Sequence, residues 1–398
     1  MSTSTTDHRY ALVAGYLGWT LDAFDFFLVT FCLTAIGREF HKSDAEVAIA
    51  TWLTLAFRPL GAFLFGLLAD RYGRRLPLMI DLVFYSVVEV ASGLAPNFTT
   101  FLVLRALFGI GMGGEWGVGA SLTMEKVPPR LRGVLSGFLQ QGYAAGNVLA
   151  AVCYFFLFER FGWRPLFFIG GLPALLAVFV RARVKESEVW QKTRHESWGQ
   201  LGRAILSNWK LFLYLSVFMM TMNLASHGTQ DLYPTFLERQ WHFSVHQRAA
   251  LTGFSMIGAI VGGTLCGLLS DRLGRRRAIL LAFVGALLLI PLWAYAPTMA
   301  LLVAGAFLIQ FMVQGAWGVI PAHLSELSPD AVRGFLPGFG YQCGVLLASP
   351  VNYVEAIVAR HTSYSTAMAG TAAVVFVMAA VAAVLGPERR AVRFGESD

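Results

Sequence analysis

Along the whole sequence, apolar stretches of roughly 18 to 26 residues alternate with short charged or glycine-rich breaks. At ~1.5 Å of rise per residue, about 20 such residues as a helix cross the hydrocarbon core of a bilayer. Lipid offers the backbone no hydrogen-bonding partner, so each stretch must satisfy its own peptide groups as a helix. We place the stretches at 11–36, 47–69, 77–95, 99–122, 133–158 and 164–180, then at 209–234, 247–269, 278–296, 299–322, 334–356 and 363–385. A soluble alternative fails on composition. Only 14% of the residues are charged and 56% are hydrophobic, whereas a soluble domain carries about 25% charged residues.

The same breaks orient the chain. An even number of spans puts both termini on one face, and 22 of the 31 lysines and arginines fall there. Seven lie on the opposite face and two, Arg58 and Arg105, fall within spans. The positive-inside rule therefore predicts cytoplasmic termini, and explains the net charge of +7 without a nucleic-acid partner. The opening MSTSTTDHRY has neither the basic region nor the cleavage site of a signal peptide, so the first stretch is expected to stay as a spanning helix. Cys32, Cys153, Cys266 and Cys343 all lie in apolar stretches without CxxC or Cys/His spacing. They are expected to be small buried hydrophobes, with no disulfide framework and no metal site.

A repeat divides the chain. GLLADRYGRR at 66–75 returns as GLLSDRLGRR at 267–276, displaced by 201 residues. The same displacement carries Glu125 to Glu326, Arg132 to Arg333, Gly133 to Gly334 and Trp116 to Trp317. The expected fold class is an all-α membrane protein of twelve helices in two pseudo-symmetric six-helix halves, 1–180 and 209–398, joined by a cytoplasmic linker at 181–208. Such halves rock about a central cavity. Asp70 and Asp271 are expected to meet arginines of neighbouring loops, Arg71, Arg75, Arg272 and Arg276 among them, or to receive helix ends. Glu125 with Arg132, and Glu326 with Arg333, belong to the same gating network. The linker predicts one or two short surface helices, with Trp190 and Trp198 either at the lipid headgroups or in a solvated strip.

Ionisable side chains within spans must face the interior, because lipid exposure costs several kcal/mol each. Asp22 and Asp25 stand three apart on one helical face. With Glu115 they are candidates for holding a transported proton, since close carboxylates in low dielectric tend to share one. The alternative for Asp22 and Asp25 is a carboxylate fixed by an arginine or by hydroxyls. Arg58 either forms a bidentate pair with a substrate carboxylate or closes an internal ion pair with Asp22, Asp25 or Glu115. Arg105 is expected to pair with backbone or an acid and to serve gating or coupling. The seventh stretch holds the densest polar group, with Asn223, His227, Gln230 and Asp231 on one side of a helix. There His227 and Asp231 suit proton binding, and the amides suit holding a small anion; a purely structural polar network is the rival reading. Gln140, Gln141, Tyr143 and Asn147, with Tyr341, Gln342 and Asn352, are further cavity candidates. Pro234 is expected to unwind the end of the seventh helix.

The two GLLxDRxGRR loops and the segment RALFGIGMGG resemble the major facilitator superfamily across essentially the whole chain. LDAFDFF and FRPLGA resemble its sialate:proton symporter branch. The run from Asn223 to Thr235 is similar to the signature N-x-x-[S/T]-H-x-[S/T]-Q-D-x-x-x-T of fungal Jen-type monocarboxylate:proton symporters. That resemblance implies substrate recognition and proton coupling at Asn223, His227, Gln230 and Asp231, and a substrate-binding arginine at Arg58. It implies uptake of a small monocarboxylate such as lactate or pyruvate with a proton. The sequence shows no nucleophile, metal or phosphate-binding constellation, so neither a cofactor nor enzymatic activity is expected. The rivals are another organic acid (sialate or an aromatic acid) and a non-transporting membrane sensor. The compact form resembles bacterial carriers of the inner membrane, and one chain is expected to function as a monomer.

Overall fold

In a computed structural model of the protein, residues 5–194 and 197–396 are described. The first half runs α1 (Thr5–Phe40), α2 (Asp44–Tyr72), α3 (Arg75–Gly93), α4 (Phe98–Lys126), α5 (Arg132–Gln140), α6 (Gly142–Phe161), α7 (Arg164–Ile169) and α8 (Pro173–Arg183). The linker contributes α9 (Glu188–Thr193) and α10 (Trp198–Ser207). The second half runs α11 (Trp209–Gln230), α12 (Tyr233–Trp241), α13 (Val245–Leu273), α14 (Arg275–Ala294), α15 (Met299–Leu327), α16 (Leu336–Ala348), α17 (Val351–His361) and α18 (Tyr364–Leu385). Among the described residues, 12 spans are long and apolar enough to cross a membrane. Several consist of two helices end to end: α5 with α6, α7 with α8, α11 with α12, and α16 with α17.

Local chemistry repeats with the sequence. Ser43 with Glu46 and Ser244 with Gln247 form capping boxes at the starts of α2 and α13, each satisfying first-turn N–H groups that lack an intrahelical acceptor. Asn97 and Thr298 cap α4 and α15 in the same way. Gly73 and Gly274 end α2 and α13, both at φ 100°, a conformation open to glycine and costly for other residues. Each of these pairs is again displaced by 201 residues.

The seventh span breaks earlier than the sequence suggested. α11 stops at Gln230 and the chain restarts at Tyr233, with Pro234 in the first turn of α12. A proline ring clashes with the carbonyl four residues back, which is Gln230 itself, and it has no N–H to lose in a first turn. The span then continues to Trp241.

The main packing between the halves lies nearer the face that carries the termini. Packing between them is made by α2, α4 and α5 against α13, α15 and α16, at glycine-lined crossings such as Gly117 on Gly338 and Gly137 on Gly263. These crossings lie in the part of the molecule nearer the termini. α1 packs on helices of its own half, and α11 on the second half and the linker helix α10. Away from these crossings, the cleft left between the halves exposes the His227 and Asp231 side chains at 38% and 36%.

Candidate functional site

The face carrying the termini is closed by two matching clusters. Asp70, near the end of α2, accepts the backbone N–H groups of Gly334 (2.8 Å) and Phe335 (2.9 Å) from the opposite half. Asp271, near the end of α13, accepts those of Gly133 (2.9 Å) and Val134 (3.1 Å). Donors at the start of a helical segment lack partners and carry partial positive charge, so a carboxylate suits them. Arg74 lies 2.5 Å from Asp70 and 3.0 Å from Glu125. Arg275 lies 2.8 Å from both Asp271 and Glu326. The halves then exchange partners, with Arg132 reaching Glu326 at 3.0 Å and Arg333 reaching Glu125 at 3.6 Å. A Cβ on Gly334 would stand 2.7 Å from Asp70 Oδ1, and one on Gly133 2.6 Å from Asp271 Oδ1. Neither position has room for a side chain. Burial works to lower the pKa of Arg74, but the Glu125 and Asp70 carboxylates beside it reverse this and push it up.

Several expected gate residues stand elsewhere. Arg74 and Arg275 hold the clusters together, whereas Arg75 donates to the Arg181 carbonyl and Arg276 to the carbonyls of Ala383 and Val384, each within its own half. Arg71 lies over the Tyr72 ring, and Arg272 is exposed, its carbonyl accepting from Arg390. The glycine turn is the physical reason: the residue just after it points back beneath the helix end, and its neighbours point away. Arg105 joins neither cluster. It pairs with Glu89 at 2.5 Å, among Phe101, Phe108 and Phe167, toward the far face. Trp190 is tied to the end of α2, its indole N–H donating to the Asp70 carbonyl (2.8 Å). Trp198 is about half exposed and meets Tyr72 edge-on. The C-terminal tail adds Phe394 between Arg132 and Arg333, with guanidinium carbons 3.8 and 3.7 Å from the ring centroid.

Arg58 stands midway along α2, 4% exposed, and its Nε and Nη2 have no hydrogen-bond partner. Its guanidinium lies 5.8 Å from the ring of Tyr341, which belongs to the other half. Trp116 and Trp317, one from each half, flank Tyr341 at 4.6 and 5.7 Å between ring centroids. Gln140 accepts from the Trp116 indole at 3.4 Å. Tyr143 of α6 stacks on Trp19 of α1, with 5.3 Å between ring centroids.

The polar stripe of α11 is divided. His227 Nδ1 lies 3.0 Å from Asp231 Oδ2, and these side chains are 38% and 36% exposed on the helix that lines the cleft. Gln230 instead donates to Gln310 of α15 (2.8 Å), and Gln314 donates to Ser226 (3.0 Å). Asn223 does not join the cleft group: it is buried and its amide donates to its own helix at Met219 (2.7 Å). The Asn352 side chain lies outside the described residues. In the first half, Asp22, Asp25, Asp81, Glu89 and Glu115 are all at most 1% exposed. Among the described residues, only Glu89 of these five has a cation at ion-pair distance. A recess of about 560 Å³ near Phe31, Arg38, Glu39 and Tyr154 opens on the far side of the first half and holds none of these buried charges.

Sequence reasoning missed Arg74, Arg275, Gln310 and Gln314. The first two stand at the 201-residue displacement, but so do Arg71 with Arg272 and Arg75 with Arg276, so the repeat did not single them out; the last two were legible as amides four apart in an otherwise apolar span.

The family model described as Major Facilitator Superfamily matches residues 16–229, and that described as Sugar (and other) transporter matches residues 205–388. A probable 4-methylmuconolactone transporter of Cupriavidus pinatubonensis is 30% identical over 97% of this chain and 92% of its own. A carboxylic acid transporter protein homolog of Saccharomyces cerevisiae is 29% identical over 86% of this chain and 60% of its own. The solved structure of the proton:xylose symporter XylE matches with a TM-score of 0.78 at 17% identity, covering 98% of both chains, a likeness of fold.

Proposed function

The chain belongs to the Major Facilitator Superfamily, and from that premise we infer that it carries a small organic acid across a membrane together with a proton, by alternating exposure of a central site. The observation that carries this reading is Arg58. A guanidinium cannot be neutralised in a protein and is costly to leave unpaired in low dielectric. Held at the junction of the halves with two nitrogens unpartnered, it suits a carboxylate arriving from the cleft. A carboxylate there can take two parallel N–H bonds, with Tyr341 beside it.

Proton coupling follows from charge balance. Asp22 and Glu115 lie within electrostatic range of Arg58. With these acids protonated, the arginine is free to bind an anion; with them ionised, they compete for it. Asp25 stands behind them, and the His227–Asp231 pair is the alternative proton holder. One proton per monoanion makes the loaded crossing electroneutral and avoids about 2.3 kcal/mol per charge per 100 mV. The excess of basic residues on the termini face puts that face in the cytoplasm, and the setting is a bacterial inner membrane. The motif from Asn223 to Thr235 favours a short monocarboxylate such as lactate or pyruvate. The relatives' names favour the broader class of organic acids, and that class is our conclusion.

The test is labelled lactate uptake into proteoliposomes under an imposed pH gradient, with sialate and an aromatic acid as competitors. We expect gradient-dependent uptake, and its loss in Arg58→Ala. Hydrogen bonds to charged groups contribute about 1.5–3 kcal/mol, so affinity should fall by about 10- to 100-fold. Undiminished uptake by the variant would refute the assignment of Arg58. Binding without movement would favour a sensor.

A further inference from the structure

We propose that the proton has its own path inside the first half, from Asp25 and Glu89 through Asp22 and Glu115 to Asp81, bridged by Tyr85. It rests on the proton-coupled reading above and deepens it.

Charge balance is the first support. Five carboxylates, those of Asp22, Asp25, Asp81, Glu89 and Glu115, are buried in this bundle beside two guanidiniums, those of Arg58 and Arg105. Arg105 is committed to Glu89. Both oxygens of Asp22, Asp25, Asp81 and Glu115 are buried without a hydrogen-bond partner. An unpaired ionised carboxylate in such surroundings costs several kcal/mol, so most of these groups hold protons. A protonated carboxyl both donates and accepts, and can hand a proton on.

Placement is the second support. Asp81, Tyr85 and Glu89 follow one another at four-residue spacing on one face of α3. At ~1.5 Å per residue that stripe covers about 12 Å of membrane depth, with Asp81 about 9 Å from the start of the helix. Asp25 and Glu89 both press on Gly170. Glu115 presses on Gly18, one turn from Asp22. Asp81 is within electrostatic range of Glu115 and Asp22. The hydroxyl of Tyr85 is fully buried, has no partner, and is within range of Asp22, Glu115, Asp25 and Asp81. The other charged or titratable groups facing the series are Arg58 on α2, Arg105 on α4, Tyr143 on α6, Cys32 on α1 and, from the other half, Tyr341 on α16. α8 contributes the apolar Leu176, Ala177 and Val180.

The chemistry balances at each step. A carboxylic acid gives its proton to the neighbouring carboxylate and is left as the anion. Tyr85 relays by accepting one proton as it gives its own. The series bypasses the two gate clusters and does not use His227 or Asp231. Beyond Asp81 the apolar Leu78 and Leu122 seal the way to the termini face, so release waits for these helices to shift as the halves rock.

Asp81→Asn keeps the shape and removes the proton. In proteoliposomes we expect this variant to exchange labelled for unlabelled acid at equal pH as wild type does. Accumulation driven by a pH gradient should fall at least about tenfold, and Asp81→Glu should restore it. Tyr85→Phe should slow driven accumulation and spare exchange, which keeps the test open should Asp81→Asn fail to fold. Full accumulation by Asp81→Asn, or by Tyr85→Phe in its place, overturns the path alone. Equal loss of exchange and accumulation in a folded variant overturns it too, by making the residue structural. Wild-type uptake indifferent to the gradient overturns proton coupling, and the path with it.

Discussion

Arg58 illustrates how far a single residue can be read. An arginine in the middle of an apolar span announces itself, because its charge is too costly to bury idly. What it meets is another matter. Tyr341 comes from the far end of the chain and lies over the guanidinium at 5.8 Å. Of the two readings open for Arg58, the internal ion pair with a first-half acid is not closed at ion-pair distance among the described residues. Arg58→Lys should separate charge from geometry: a lysine keeps the positive charge but lacks the planar fork. Competition binding of the transported acid should weaken by about tenfold if a two-pronged contact is lost. Equal affinity would mean that charge alone serves. Asn223 gives the contrary lesson, since the spacing that put it on the stripe with His227 could not reveal that its amide turns back to the Met219 carbonyl.

At the scale of elements, the ends of α2 and α13 carry the closure of the termini face. Each presents an aspartate to two N–H groups of the opposite half, and each aspartate is held by an arginine from the turn that follows. Breaking a buried charge pair by removing one partner costs about 3–5 kcal/mol. Asp70→Asn and Asp271→Asn should therefore each shift the population toward a gate open at the termini face. Distances between spin labels on the two halves, read at that face, should lengthen in both variants. Unchanged distances would show that glycine-lined packing alone keeps the gate shut. That Asp70 and Asp271 would meet loop arginines or helix ends was readable from the repeated DRxGRR loops. Which arginine does the holding was not, because the turn at Gly73 or Gly274 decides where each side chain points.

For the whole molecule, the tail joins the helices at the termini face. Phe394 lies between Arg132 and Arg333, one from each half, while Arg132 donates to the Val392 carbonyl and the Gly395 N–H donates to Asp330. The tail thus braces the two arginines that cross between the halves. Cation–π contacts contribute about 0.5–2 kcal/mol, so Phe394→Ala should favour the open gate several-fold and raise the modification rate of a cysteine placed beneath it. An unchanged rate would show that the tail is a bystander. The sequence by itself determined the twelve spans, the two related halves and the presence of buried charges. Those follow from apolar length, from the 201-residue displacement and from the cost of charge in lipid, all properties of the chain in one dimension. Only the tertiary structure decided that Glu125 meets Arg333 while Glu326 meets Arg132, that Gln230 is taken by Gln310, and that five carboxylates converge in one bundle. Such partners are brought together by the docking of helices distant in sequence, and side-chain reach across that docking is not written in spacing along the chain.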